Sequence, residues 1–256
     1  MKTNPVIECL ISHKSIRKFT DQDPDQETVE TIVRAGQQAP FGGQSYSILL
    51  SRKREKNPFK APLYFIVCWD LHKFDLIMKE RGWERKGNDF NSLWIGMQDV
   101  CYAAQNLVVA GRSLGLGSCY IGSAVGRSEK IAEEYNLPQR VLPIVQLAMG
   151  YPVEEPPVRP RYPLEYALFE DEYPELTKDM VHRAMKQMDE GYLAQDYYIK
   201  GGNMIPLRGV REETYTYDNY SWTEHICRKA ALYRSDFDKL VKAIESQGFY
   251  LTKKKE

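Results

Sequence analysis

The sequence predicts a body of mixed helices and strands with a further run of helices behind it, and three observations carry that reading. Residues 63–69 and 141–149 are continuous apolar runs of strand length, the pattern of strands covered on both faces. From about 90 to 114, Ile95, Val100, Ala103, Ala104, Leu107 and Ala110 recur at helical spacing and leave little of the circumference polar. After Gly150 the character changes: Pro152, Pro156, Pro157, Pro160 and Pro163 hold an extended segment that is neither helix nor central strand. At 256 residues the chain matches one large domain or two small ones, on a prior of roughly 150 residues per domain. A chain of that length buries about three-quarters of its unfolded surface, so folding requires no metal or disulfide staple.

The elements follow in order. Residues 5–13 open on an early proline and set Val6, Ile7, Leu10 and Ile11 on one side of a helix. Residues 26–38 form a second helix after the acidic start Asp23-Pro24-Asp25, with Val29, Ile32 and Val33 at helical spacing; Pro40 and Gly42-Gly43 end it. Residues 45–51 and 63–69 are strands. The helix 90–114 belongs at the centre of the fold or inside a subunit interface, and Gly115 is its left-handed C-cap. A strand over 116–121, a short helix over 128–135 and a strand over 141–149 complete the core. Residues 1–165 are expected to form that core. Residues 166–256 have too few apolar residues for a core of their own, so they are expected to wrap the first part or a second subunit. The closing Lys253-Lys254-Lys255 reads as a solvated tail.

Thirty-five Lys and Arg against 35 Asp and Glu give formal neutrality, which removes the general electrostatic argument for a nucleic-acid or anionic-membrane partner. With 43% apolar and 27% charged residues, wholesale disorder and a polytopic membrane protein are excluded. The first apolar run, 6–11, is broken by Glu8 and too short for a signal peptide. No segment approaches the ~18 uninterrupted apolar residues of a membrane span, so a cytoplasmic protein is expected. Cys9, Cys68, Cys101, Cys119 and Cys227 are scattered without a CxxC pair. They suggest small buried apolar residues in a reducing compartment, neither a disulfide framework nor zinc ligands. His13, His72, His182 and His225 show no metal-ligand spacing.

Candidate chemistry is confined to a few segments. Gly115, Gly117 and Gly122 superficially match GxGxxG, but they follow a helix and open a strand, the reverse of a Rossmann turn. Gly122 differs from the others: it lies just past a strand end, where a missing side chain lets a ligand approach the backbone. In His13-Lys14-Ser15-Ile16-Arg17-Lys18, extended backbone places His13, Ser15 and Arg17 on one face over roughly 13 Å at ~3.3 Å per residue, with Lys14 and Ile16 on the other. That face suits a phosphorylated ligand, although such runs are more often solvated patches. Prolines stiffen Arg159-Pro160-Arg161, whose guanidinium groups match phosphate bidentately; taken alone the segment reads as an exposed linker. The turn Ala39-Pro40-Phe41-Gly42-Gly43-Gln44 offers exposed backbone and one amide. Neither a GxSxG elbow nor a P-loop is present, and Glu133-Glu134 reads as a solvated pair on a surface helix.

Taken in order, these segments resemble the FMN-dependent nitroreductase family, in particular its larger branch of NADPH-linked, oxygen-insensitive nitroreductases and flavin reductases. The resemblance rests on residues 13–20 (HKSIRKFT), Ala104-Gln105-Asn106, residues 114–122 (LGLGSCYIG), Leu142-Pro143, Arg159-Pro160-Arg161 and residues 222–226 (WTEHI), and covers almost the whole chain. It implies an α+β fold with a central mixed sheet surrounded by helices, a homodimer built around the long helix, and one FMN at each subunit boundary. It assigns the flavin phosphate to His13, Ser15, Arg159 and Arg161, with Lys14 in the same segment, and the pyrimidine edge to Arg17. Tyr120, Ile121, Gly122 and Ser123 resemble the strand end against which the isoalloxazine lies. Pro40, Phe41, Gly42 and Gln44 would reach the flavin from the partner subunit, and Gln105 and Asn106 would serve helix packing and interface hydrogen bonds.

Three departures accompany the resemblance. Phe41 stands where many relatives carry a small hydroxyl residue. Residues 52–62 are far shorter than in the larger branch, where that stretch supplies a polar flavin contact. The loop 201–220 is long; Lys200, Arg208 and Arg211 are its basic candidates for the NADPH 2′-phosphate. The expected activity is two-electron, ping-pong transfer from NADPH or NADH through FMN to a nitroaromatic, a quinone or free flavin, with no side-chain acid or base demanded and no metal. The rival readings are reductive dehalogenation within the same family and a flavin-binding storage or sensing module without turnover.

Overall fold

The computed structural model describes residues 1–209, 211–233 and 237–251; the Lys253-Lys254-Lys255 tail lies outside the described residues. In chain order the elements are α1 (Pro5–Ile11), α2 (Gln26–Gln37), β1 (Tyr46–Ser51), β2 (Leu63–Asp70), α3 (His72–Glu80), α4 (Phe90–Ser113), β3 (Gly117–Ile121), α5 (Ser128–Tyr135), β4 (Val141–Gly150), α6 (Lys178–Leu193), α7 (Tyr197–Gly201), α8 (Trp222–Leu232) and α9 (Phe237–Ser246). They form two compact units, one of residues 1–156 with 236–256, the other of residues 157–235.

In the first unit the strands form one sheet in the order β1-β2-β4-β3. Tyr46 faces Trp69, Leu63 faces Met149 and Gly117 faces Gly150, with an irregularity between Val67 and Cys68. All three ladders are antiparallel. Among the described residues, the parallel component of the expected mixed sheet is a single bridge between Ser15 and Ser118 beside β3. The uninterrupted apolar run of β2 has a simple cause: both its faces are covered. Phe65, Val67 and Trp69 pack with Val29 and Ile32 of α2 and with Val100, Ala103 and Leu107 of α4. Tyr64, Ile66 and Cys68 pack with Ile131 of α5 and Val141.

Helix α4 divides its apolar residues between two stripes. Val100, Ala103, Ala104 and Leu107 are buried, whereas Trp94, Ile95, Met97 and Tyr102 are exposed. Gly96 permits its closest approach to the sheet, because a Cβ there would lie 2.2 Å from the ring of buried Trp69. Gly96→Ala is expected to destabilise by about 2 kcal/mol through overpacking, despite its better helix propensity; urea denaturation measures it.

Three expectations are corrected and one helix is added. The first helix stops at Ile11, not near His13, and no residue of α1 is buried: Val6, Leu10 and Ile11 are exposed on its apolar side. Helix α3 was not expected from the sequence; it forms with the Lys73 N–H on Asp70 Oδ1, and its own residues bury nothing completely. Cys68 and Cys119 are buried as expected, but Cys101 and Cys227 lie on outward faces of α4 and α8 and are exposed. Finally, Glu134 is not simply solvated but pairs with Lys56 at 3.1 Å.

The chain end returns to the first unit through a buried ionic staple. Arg140 binds Asp89 bidentately at 2.7 and 3.0 Å and also donates to Asp75 Oδ2 and to the Gly248 carbonyl. Asp89 in turn accepts the Tyr250 N–H, and Phe249 stacks on Trp69 with ring centroids 4.2 Å apart.

The second unit is organised by aromatic and ionic contacts. Arg228, 2% exposed, binds Glu213, Glu224 and the Ile205 carbonyl. Asp189 of α6 fixes the start of α8 by accepting from the N–H and hydroxyl of Thr223. Among the described residues, no helix is long and apolar enough to cross a membrane.

Candidate functional site

Because β3 is an edge strand, its outer side is free to accept the extended segment that follows α1. The Ile16 N–H donates to the Ser118 carbonyl at 2.9 Å, and farther along Thr20 and Val153 exchange bonds with Tyr151 and Lys18. Ile16 is buried, while Ser15 and Arg17 approach Cys119. Burial pushes the Cys119 thiol up; the Arg17 charge and the Ser15 hydrogen bond act against it without reversing it. The expected separation of Ser15 and Arg17 from Ile16 is therefore present.

Two acids that the sequence did not single out hold this segment. Glu154 Oε1 accepts the N–H groups of Arg17 and Lys18 at 2.5 and 3.1 Å, and Glu155 pairs with the Lys14 ammonium. The Arg17 backbone is thus fixed while the residue stays exposed. His13 is half-buried at the head of the same segment.

At the far end of β3 the Tyr120 hydroxyl donates to Gln105 Oε1 of α4 at 3.2 Å, and burial raises the Tyr120 phenol. Gly122 and Ser123 are exposed and Ile121 half-buried. A Cβ on Gly122 would meet no atom of the chain within 4 Å, and its φ lies outside the left-handed region that demands glycine. Nothing within the chain therefore requires glycine here, and the space before this backbone is open. The same strand end could receive a flat group at backbone distance, so the residues present fit an FMN ring.

The turn after α2 is positioned differently. Asp99, buried in α4 at 1% exposure, accepts the N–H groups of Gly42, Gly43 and Ser45 at 2.7, 3.2 and 3.0 Å and the Ser45 hydroxyl at 3.1 Å. With these bonds in place Gln44 adopts φ 50°, Pro40 lies on the surface, and Phe41 is 57% exposed. Asp99 was not among the expected site residues; its signal in the sequence is a lone carboxylate inside a largely apolar stretch of helix. Asn106 packs as expected, donating to the Ala35 carbonyl at 3.0 Å.

Arg159 and Arg161 belong to the second unit. Arg159 donates to Gln195 Oε1 at 2.5 Å and lies 4.3 Å over the Tyr197 ring; Arg161 Nη1 donates to the carbonyls of Arg159 and Pro160. Of the three basic candidates for a 2′-phosphate, Lys200 pairs with Asp196 and Arg211 with Glu224. Arg208 is exposed, at φ 51°, and has no ion pair among the described residues.

An antiparallel sheet, a long helix across it and a basic segment on its edge strand define a protein of the nitroreductase fold. The solved structure of NfrA1 nitroreductase from B. subtilis is similar, with a TM-score of 0.77 and 28% identity over 95% of this chain and 98% of that one. The chain belongs to the Nitroreductase family, whose profile matches residues 10–51 and 46–151. Its relatives include the FMN reductase (NADPH) of Bacillus subtilis, 32% identical over 83% of this chain and 89% of that protein. The oxygen-insensitive NADPH nitroreductase of Salmonella typhimurium is 28% identical over 88% and 90% respectively.

Proposed function

We propose that this protein is an FMN-dependent oxidoreductase that takes two electrons from NADPH or NADH and passes them to a nitroaromatic, a quinone or free flavin. The open backbone at Gly122, beside a segment carrying Ser15 and Arg17, is the observation that carries this reading, and the names of the relatives support the cofactor and donor. When bound, FMN supplies the hydride chemistry. The chain's part is to bind and to orient. His13 and Ser15 hold phosphate, Lys14 in the same segment anchors it to Glu155, and the backbone from Tyr120 to Ser123 receives the ring. The Arg17 guanidinium, its backbone fixed by Glu154, places a positive charge where negative charge develops on reduction. No side chain of this site is assigned proton transfer.

Arg17→Ala is expected to slow reductive turnover by about a hundredfold to a thousandfold, the scale of removing one electrostatic donor, while weakening FMN binding much less. Stopped-flow reduction and a flavin titration separate the two; equal losses, or none, defeat this role.

We assign the functional state to a homodimer. Asp99, which holds the turn, and Gln105, which holds the strand end, are six residues apart on α4, about 240° around it at 3.6 residues per turn. The turn and the strand end of one chain thus meet different sides of the helix, and the exposed stripe of Trp94, Met97 and Tyr102 offers a second chain an apolar face. The turn of one protomer, with Pro40, Phe41, Gly42 and Gln44, then serves its partner's flavin. We place the enzyme in the cytoplasm, where the exposed thiols of Cys101 and Cys227 stay reduced.

The deciding experiment is the visible spectrum of the purified protein, followed by NADPH under anaerobic conditions. A flavin spectrum that bleaches supports the oxidoreductase; a flavin that stays oxidised with both NADPH and NADH overturns it in favour of a binding module. Protein that does not take up added FMN overturns the cofactor site itself.

A further inference from the structure

A small cavity in the second unit is walled largely by aromatic rings. It measures about 170 Å³ and lies between α6, α7 and the residues before α8. Tyr192, Tyr197, Tyr198, Tyr217 and Tyr220 line it. Neighbouring rings stand at right angles: Tyr197 meets Tyr198 at 85° and 5.0 Å, and Tyr198 meets Tyr220 at 86° and 5.2 Å. The walls therefore present π faces in more than one direction. Asp196 and Asp218 supply charge, and among the described residues no Lys, Arg or His lines the cavity. Asp218 has no ion pair among the described residues, and Asp196 meets Lys200 in an exposed contact that contributes little.

Two further observations point to an occupant and to its charge. Tyr198 is 4% exposed, and its hydroxyl has no hydrogen-bond partner among the described residues yet keeps accessible surface. A buried polar side chain left open in this way is available to a ligand in the cavity. The aromatic cluster also carries one cation already, since the Arg159 guanidinium lies 4.3 Å over the Tyr197 ring. Burial, aided by the neighbouring phenols, pushes the Tyr192 and Tyr198 hydroxyls up. The rings thus stay neutral, and the carboxylates alone make the lining negative.

We propose that this cavity binds a small organic ammonium ion, with tyrosine faces around its alkyl groups and Asp218 and Asp196 balancing its charge. Quaternary ammonium is the chemistry that such a lining selects, because its charge is spread over methyl groups that pack on π faces. The volume is well below the roughly 300–1,000 Å³ of drug-sized sites, so the ligand is about the size of choline. A neutral guest would leave Asp218 without a counter-charge, and an anion would be repelled by it. The site is independent of the flavin reading.

The test uses the full-length protein as purified, titrated calorimetrically with choline in a buffer free of other organic cations. Saturable binding in or below the millimolar range is expected. The uncharged isostere of choline, with carbon in place of nitrogen, should bind at least about tenfold more weakly. Tyr217→Leu keeps an apolar side chain but removes one π face, and should weaken choline binding by about tenfold, within the range of a desolvated cation–π contact. Asp218→Lys should abolish it, and Asp218→Asn, which keeps the size of the side chain, should weaken it several-fold. Asp218 is exposed and Tyr217 half-buried, so the thermal midpoints of these variants should match wild type. No binding by wild type, equal affinity for the uncharged isostere, or unchanged affinity in Tyr217→Leu and both Asp218 variants overturns the proposal. The visible spectrum of each variant, expected to match wild type, keeps this outcome distinct from failure of the flavin site.

Discussion

Gly122→Leu is expected to abolish FMN binding and leave the fold untouched. The substituted Cβ meets nothing in the chain and the backbone there is in a region open to any residue, so the apo-protein should lose no more than about 0.5 kcal/mol, the range of ordinary surface changes. A flat cofactor at backbone distance, by contrast, would collide with the branched side chain. The expected loss of affinity is at least about a hundredfold, near 2.8 kcal/mol at 1.4 kcal/mol per tenfold. Flavin fluorescence titration of apo-protein, with thermal denaturation beside it, measures both quantities. Wild-type affinity in this variant would remove the flavin from the β3 end.

The largest effect on stability is expected at Asp99. Asp99→Ala leaves three backbone N–H groups and one hydroxyl without their acceptor. Each unsatisfied buried donor costs about 1–3 kcal/mol. The losses are not additive, because a released turn recovers part of them in water, so about 4 kcal/mol is expected from a total of roughly 5–15 kcal/mol. Asp99→Asn keeps one acceptor and turns an amide donor towards the remaining N–H groups, so it should fall between. Urea denaturation gives the stability. Because the turn also carries the residues assigned to the partner's flavin, FMN affinity should fall in the same order. A cost below about 1 kcal/mol for the alanine variant would mean that Asp99 does not hold the turn.

The core strands and helices were legible because their burial is written in periodicity. β2 is apolar from Leu63 to Trp69 because α2 and α4 cover one face and α5 the other, and α5 spans the residues 128–135 expected for it. Gly115 adopts φ 84° after α4, as its position suggested. Helix α3 escaped notice because it buries no residue completely and has no strong capping signal of its own. The apolar side of α1 was visible, but periodicity says only that a face is apolar, not whether the same chain covers it.

For the site, the sequence singled out the segments to which chemistry is assigned. The basic run after α1, the turn at Pro40 and the glycine past β3 stand out by residue type. The tertiary structure decided what holds them. Glu154 and Glu155 fix the basic run from more than a hundred positions away, and Asp99 reaches the turn from 54 to 57 positions downstream. Local sequence fixes backbone preference and apolar period, which act over a few residues. A carboxylate finds its N–H donors, and a lysine its neighbours, only when packing brings distant segments within about 3 Å of each other.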